Sequence, residues 1–315
     1  MARDRTLAGL LAVLVVLLLG TVFLPSWAVS LVTVALAKAI VILGLVVLLR
    51  AGLVPFGQAL FFALGAYGAG LMLRQVGGSD FVIAFLAGSL AAGLVAFVLG
   101  FLMARYREIF FAMLSLAFSM LLYGLLVKNA ALGGTDGFNI PSPTFLGYEP
   151  SAALARRVLL AVTAIVAIGA HMATHVYLQS TMGRLATAIR DNEIRVEYLG
   201  ASVKRAVHIK FVIAGTLAGM GGVVTAFSAG HIDPGMSYWT SSGEFVFVTI
   251  MSGAGSVLAP ILGSLLFEIV RTYAVQYAPQ TWQAVIGIVL LLIILFLPAG
   301  LWSLFQRRRR GASAS

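Results

Sequence analysis

Apolar residues in this chain come in long runs, and the polar residues gather in the gaps between them. The runs fall at Leu7–Leu24, Ala28–Leu49, Leu53–Leu73, Phe81–Met103, Ile109–Val127, Val158–Leu178, Val207–Ala229, Phe245–Leu258, Ile261–Val275 and Trp282–Leu304. A helix needs about 20 mostly apolar residues to cross the hydrocarbon core of a bilayer. Most of these runs reach that length, so the pattern predicts about ten transmembrane helices, eight at the fewest. The eighth and ninth are short and broken by Gly253, Gly255 and Pro260; they read either as two spans or as one re-entrant hairpin. The expected fold class is therefore an all-α polytopic membrane protein.

Composition agrees with this reading. Of the 315 residues 61% are hydrophobic and only 10% charged, and the mean hydropathy is +1.03. A water-soluble globule would have too little polar side chain to cover its surface. The runs leave room for one transmembrane domain, residues 1–306, followed by a basic tail at 307–315. The first run is long for a signal peptide and no small-x-small cleavage site follows it, so it is expected to stay as a span.

The net charge of +10 raises the possibility of a nucleic-acid partner, but the basic residues sit at the ends of apolar runs and form no continuous basic face. Membrane orientation accounts for them better. With ten crossings and a cytoplasmic N-terminus, the inner connections hold Arg3, Arg5, Arg50, Arg105, Arg107, Arg184, Arg190, Arg195, Lys204, Arg205, Lys210 and Arg307 to Arg310, which is 15 of the 21 Lys and Arg. The outer side is comparatively poor in positive charge. The positive-inside rule then predicts both termini in the cytoplasm.

Two connections are long. The outer one, about 129–151, carries Gly133, Gly134, Thr135, Asp136 and Gly137 and three prolines, the composition of a turn-rich loop. The inner one, about 179–205, has Leu185, Ile189, Val196 and Leu199 at near-helical spacing among Arg184, Arg190, Asp191, Glu193, Arg195 and Glu197. That pattern predicts a short amphipathic helix ending near Gly200. Its charged residues, with Gly183 and Asn192, suit either an ordinary solvated connector or a lever that passes motion from a soluble partner to the spans it joins.

Here the sequence resembles a known family. The segment from Gly183-Arg184 through Ala188-Ile189-Arg190-Asp191-Asn192-Glu193 to Leu199-Gly200 is similar to the coupling loop of the branched-chain amino-acid permeases of ABC transporters, the LivM-like half of a permease pair. Further similarities follow in the family's order: Pro55 to Tyr67, Phe110 to Phe118, Gly133 to Gly137, Gly253-Ala254-Gly255-Ser256 with Pro260 to Gly263, and Phe296 to Leu301. Two positions depart from the pattern, Pro55 where the family often has serine and Ser252-Gly253 where it has a glycine pair. The resemblance implies a channel-forming subunit in the bacterial inner membrane. It further implies a second permease subunit, two ABC ATPase subunits and a periplasmic solute-binding protein as partners. No Gly-x-x-x-x-Gly-Lys-Ser/Thr motif occurs in the chain, so ATP and magnesium are expected on the partner subunits, and this chain is expected to be neither an enzyme nor a cofactor protein.

Polar residues inside apolar runs are costly to bury in hydrocarbon, about 2.5 to 3.5 kcal/mol for a central charge on insertion scales. Lys38, Gln58, Glu244 and Glu268 are of this kind. An intrahelical ion pair with Arg271 three residues on accounts for Glu268, and a carboxylate partner or the aqueous boundary for Lys38. Gln58, beside Gly57 and near Phe61 and Tyr67, reads equally as part of a solute pathway and as packing. Ser115 and Glu244 complete the pathway candidates. A self-sufficient secondary transporter or channel remains the rival, with Lys38, Glu244 and Glu268 as an ion or proton relay.

The glycine clusters Gly65, Gly68, Gly70 and Gly215, Gly219, Gly222 suit close helix packing. His171 and His175 share one helix face but lack a third ligand at suitable spacing, so no metal site is expected. Ser241 to Glu244 has no histidine arrangement of a serine hydrolase, and His-Glu-x-x-His is absent. Cysteine is absent too, which excludes disulfides and thiolate chemistry.

Overall fold

A computed structural model describes residues 5–297 and 300–304. Arg3, the basic tail Arg307 to Arg310, and Pro298 and Ala299 of the last family-like motif lie outside the described residues. The fold is all-helical apart from one two-residue ribbon. Its helices are α1 (Arg5–Phe23), α2 (Ser26–Leu49), α3 (Gln58–Val76), α4 (Phe81–Met103), α5 (Glu108–Lys128), α6 (Ala152–Gln179), α7 (Thr181–Asp191), α8 (Glu193–Tyr198), α9 (Val203–Ala229), α10 (Trp239–Ser252), α11 (Ala259–Tyr277) and α12 (Trp282–Phe296). Among the described residues seven helices, α1 to α6 and α9, are long and apolar enough to cross a membrane, and α12 is a shorter apolar helix. The protein is a multi-pass membrane protein.

Helix α2 lies at the centre, buried over most of its length between α9, α6 and α11. Beyond α9, which joins the two groups, α3 and α4 pack closely on α9 and on each other, and small residues make this possible. A Cβ on Gly65 would run into the carbonyl of Gly219, and one on Gly222 into the carbonyl of Phe62. In a bilayer the hydrophobic effect does not press helices together, so such close backbone contact supplies the packing energy. Side chains close the helix starts: Asp80 accepts from Val82 N and Ile83 N at α4, Ser180 from Gly183 N at α7, Asn192 from Arg195 N at α8, and Ser202 from Arg205 N at α9.

Two stretches re-enter the bundle as irregular backbone. After α2 the chain turns at Arg50 to Gly52 and runs extended to Gly57, and α3 begins at Gln58. The Gln58 Nε2 donates to the carbonyl of Ala214 at 2.8 Å, which lies about 16 Å along α9 from its first residue at 1.5 Å per residue. After α9, the ribbon strand β2 (His231–Ile232), paired with β1 (Phe138–Asn139), leads into a 3₁₀ turn at Pro234–Ser237. The Ser119 hydroxyl donates to the Ser237 carbonyl at 2.8 Å, again about 16 Å along its helix, α5. Both breaks therefore sit at mid-depth, where irregular backbone survives only when protein groups satisfy it. The Ala59 N–H donates to the Ser242 Oγ at 3.0 Å and joins the start of α3 to the first turn of α10.

The eighth and ninth apolar runs form two helices with different limits from those the hydropathy pattern gave. α10 starts before Phe245 and ends at Gly253, whose φ of +84° turns the chain out of the helix. The predicted amphipathic helix is also two, α7 and α8, broken where Asn192 takes an extended conformation (φ −165°). Of its apolar residues Ile189 and Val196 are buried, Leu185 is half-buried and Leu199 is exposed.

Candidate functional site

Four ionisable side chains from three helices meet inside the bundle. Lys38 of α2 forms ion pairs with Glu244 of α10 and Glu268 of α11. Arg271, one turn beyond Glu268, lies 3.6 Å from Glu244 and 3.9 Å from Glu268. The cluster carries two positive and two negative charges, so its burial leaves no net charge uncompensated. It has two tiers. Lys38 and Glu268 are buried, with side chains 7% and 9% exposed, whereas Glu244 and Arg271 are 20% and 37% exposed. Lys38 also stands over the Phe267 ring at 5.3 Å, and Arg271 over Trp282 at 5.6 Å.

Two cavities meet at this point and a third adjoins them. One of about 300 Å³ is lined by Lys38, Glu244 and Arg271 together with His231, Asp233 and Ser241. A second, about 380 Å³, shares Ser241, Glu244 and Arg271 and is otherwise walled largely by Trp239, Trp282, Phe247, Phe267, Ile286 and Leu290. The third, about 300 Å³, shares Asp233 and Gly235 with the first and reaches Thr135 of the long 129–151 loop. Together they run from the ribbon face of the bundle to the buried charges, in the size range of small-ligand sites.

Of the pathway candidates named from the sequence, Glu244 lines these cavities. The other four lie between helices. Gln58 is spent on the Ala214 carbonyl. The Phe61 ring meets Phe211 edge-on at 5.4 Å, and Tyr67 meets Phe138 at 5.8 Å. The Ser115 Oγ accepts from Phe56 N and donates to the Ala112 carbonyl, holding the extended 53–57 segment against α5. Asp233, Ser241 and Trp282 were not among the pathway candidates read from the sequence. They lie outside or at the margin of the apolar runs, and only the re-entrant path of the chain carries them to the cavity.

The 179–205 segment lies on the opposite face from the ribbon. Gly183 lets the backbone of α7 close on Tyr177 and Leu178, where a side chain would clash. The buried Lys210 ammonium of α9 donates to the Met182 carbonyl at 2.8 Å and fixes the start of α7. The Arg190 stem covers the turn at Gly52, and its guanidinium lies 3.9 Å from Asp191. Glu193 pairs with Arg107 at the start of α5 at 2.5 Å. The Arg50 Nε donates to the Ala254 carbonyl beyond α10 at 3.0 Å, and burial draws its pKa down from the ordinary arginine value. Facing outward are Arg184, Arg195, Glu197, Ile194, Tyr198 and Leu199, after which Gly200 (φ +84°) ends the segment.

On the ribbon face, Gly133, Gly134 and Gly137 all have positive φ. The Thr135 hydroxyl donates to Asp136 Oδ1 at 3.1 Å. A Cβ on Gly137 would strike the Ile232 carbonyl, so the loop presses against β2. The two histidines engage their own helix, His171 Nδ1 with the Ala167 carbonyl and His175 with Gln179. No group of three or more metal-ligating side chains occurs among the described residues.

A family model described as the permease component of the branched-chain amino acid transport system matches residues 27–294. The high-affinity branched-chain amino acid transport system permease protein LivM of Escherichia coli K12 is 27% identical over 317 residues, covering 93% of this chain and 74% of LivM. LivH of the same organism is 25% identical over 158 residues, about half of each chain. The nucleoside ABC transporter permease protein NupB of Lactococcus lactis is 30% identical over 99 residues, 31% of this chain and 27% of NupB. No solved structure matches. A match across most of the length, over a bundle with broken spans and a charged connector, makes the chain a member of the branched-chain amino acid transport system permease component family.

Proposed function

We propose that this chain is one permease subunit of an ABC importer for branched-chain or related amino acids in the bacterial inner membrane. It forms half of the translocation pathway beside a second permease. Two ATPase subunits bind the α7–α8 face, supply ATP and magnesium, and drive alternating access, while a periplasmic binding protein delivers solute to the ribbon face. Ten crossings with both termini in the cytoplasm fit the path of the chain, in which α10, α11 and α12 continue the alternation begun by the seven long apolar helices.

The observation that carries this reading is the anchoring of α7 and α8. Glu193 holds α5 through Arg107, Met182 holds α9 through Lys210, and Arg190 covers the α2–α3 turn. A displacement of this segment is therefore delivered to several spans at once. Its outer side offers three large apolar side chains, Ile194, Tyr198 and Leu199, all more than half exposed, among charges. Such a patch is the composition of a docking surface for a soluble protein.

The test is charge reversal at outward-facing positions, which leaves the internal pairs whole. Arg184→Glu with Glu197→Arg should lower solute-stimulated ATP turnover of the assembled transporter about tenfold, equivalent to about 1.4 kcal/mol of coupling, while membrane insertion is retained. Undiminished uptake would reject the docking assignment. The relay reading of Lys38, Glu244 and Glu268, which are in contact here, predicts instead that the purified chain alone transports in liposomes under an ion gradient.

A further inference from the structure

The outer tier of the charge cluster stands in the wall between two cavities, each with polar and apolar lining. On one side the cavity carries His231, Asp233 and Ser241. On the other it is walled by Phe247, Phe267, Ile286 and Leu290, with Trp239 and Trp282 alongside. Glu244 and Arg271 line both. We infer that Glu244 and Arg271 form a station for a zwitterionic apolar α-amino acid, with the ammonium on Glu244, the carboxylate on Arg271 and the side chain in the aromatic–aliphatic cavity. This rests on the permease reading above and deepens it by assigning the residues and the charge type of the solute.

Three observations carry it. First, the outer pair is loose. The Arg271 to Glu244 separation is 3.6 Å, longer than a charge-assisted hydrogen bond of about 2.7 to 2.9 Å, so a ligand can be inserted without breaking a tight contact. Lys38 meanwhile keeps its pairs with both Glu268 and Glu244, so a ligand ammonium would share the Glu244 carboxylate with it. Second, the cluster is electroneutral. An anion or a cation bound there would leave an unpaired charge in low dielectric, which is costly. An uncharged solute would separate the pair without replacing either partner. A zwitterion supplies both countercharges and keeps the balance. Third, the spacing of the two functions fits. The ionic groups of an α-amino acid are attached to one carbon, and here one acid and one base stand side by side at the edge of a chamber of about 380 Å³ whose far wall is Phe247, Phe267, Ile286 and Leu290, within the range of small-ligand pockets.

The absence of cysteine from the chain makes the test direct. Ser241 lines both cavities, and Ser241→Cys places a single thiol at the station. In the assembled transporter in proteoliposomes, millimolar leucine should slow reaction of this thiol with a cationic, membrane-impermeant reagent by about tenfold. Leucine methyl ester, which lacks the carboxylate, and N-acetyl-leucine, which lacks the ammonium, should give little protection. Protection should vanish in an added Arg271→Gln and return in part with Arg271→Lys, which separates loss of the charge from loss of the fold. Equal protection by all three compounds, or protection undiminished by Arg271→Gln, would overturn the station. ATP-driven uptake by the assembly without these substitutions tests the permease reading on its own, so the two failures are distinguishable.

Discussion

Lys38 is the side chain on which the interior depends most directly. It is buried in the most enclosed helix and is shared between two carboxylates from α10 and α11. Removing it leaves Glu244 and Glu268 with Arg271 alone, at 3.6 and 3.9 Å. Breaking a buried ion pair on one side costs about 3 to 5 kcal/mol. Lys38→Met should therefore lower the thermal midpoint of the purified protein sharply, and the added Glu268→Gln should recover much of the loss by restoring charge balance. A Lys38→Met protein as stable as the parent would show the cluster to be dispensable for the fold. Gln58 behaves differently. Its amide is used on the Ala214 carbonyl and it is 1% exposed, so Gln58→Met should cost about 1 kcal/mol of stability and leave solute selection unchanged. Altered selection on uptake would place Gln58 in the pathway. In the sequence alone the two readings of Gln58 were equal, because the residue type does not reveal which groups surround it.

At the scale of elements, the apolar periodicity told truth about existence and less about limits. Ile189 and Val196 lie two helical turns apart and both are buried, so one continuous helix was the natural reading. The chain breaks between them at Asn192, whose side chain caps α8 by accepting from Arg195 N at 2.9 Å. Asparagine within a polar stretch gives little warning of this, since it serves equally on a solvated helix face. The cap is testable. Asn192→Ala should cost about 1 kcal/mol of local stability, loosen the Glu193–Arg107 connection and reduce solute-stimulated ATP turnover several-fold; full turnover would show that α8 needs no fixed start. The first turns of α10 escaped for a related reason. A helix beginning at mid-depth beside cavities needs no apolar lead, and Trp239, Thr240, Ser241, Gly243 and Glu244 line them, so a hydropathy rule places the start at Phe245. Asp233 was invisible on the same ground.

The whole molecule turns on how many times the chain crosses. By length and apolarity α1 to α6 and α9 are spans, an odd number that would leave everything after Ala229 on one side. The contacts favour crossings by α10 and α11, and we propose α12 as the tenth span. The Arg50 Nε at the end of α2 donates to the Ala254 carbonyl, which puts the α10–α11 connection on the α7–α8 face. At mid-depth Lys38 meets α10 and α11 together, so both helices run alongside the middle of α2. The sequence held half of this. Ten apolar runs and the bias of Lys and Arg predict the alternation, but the two re-entrant stretches depend on contacts such as Ala59 with Ser242 and Ser119 with Ser237, which local pattern does not encode. Single cysteines in this cysteine-free chain decide the matter. An impermeant maleimide applied to right-side-out vesicles should label Asp136→Cys and Thr281→Cys, and should reach Arg184→Cys and Ser256→Cys only in inverted vesicles. If Ser256→Cys is labelled with Asp136→Cys instead, α10 does not cross, and the charge cluster cannot lie between the two faces of the membrane as the contacts of Lys38 require.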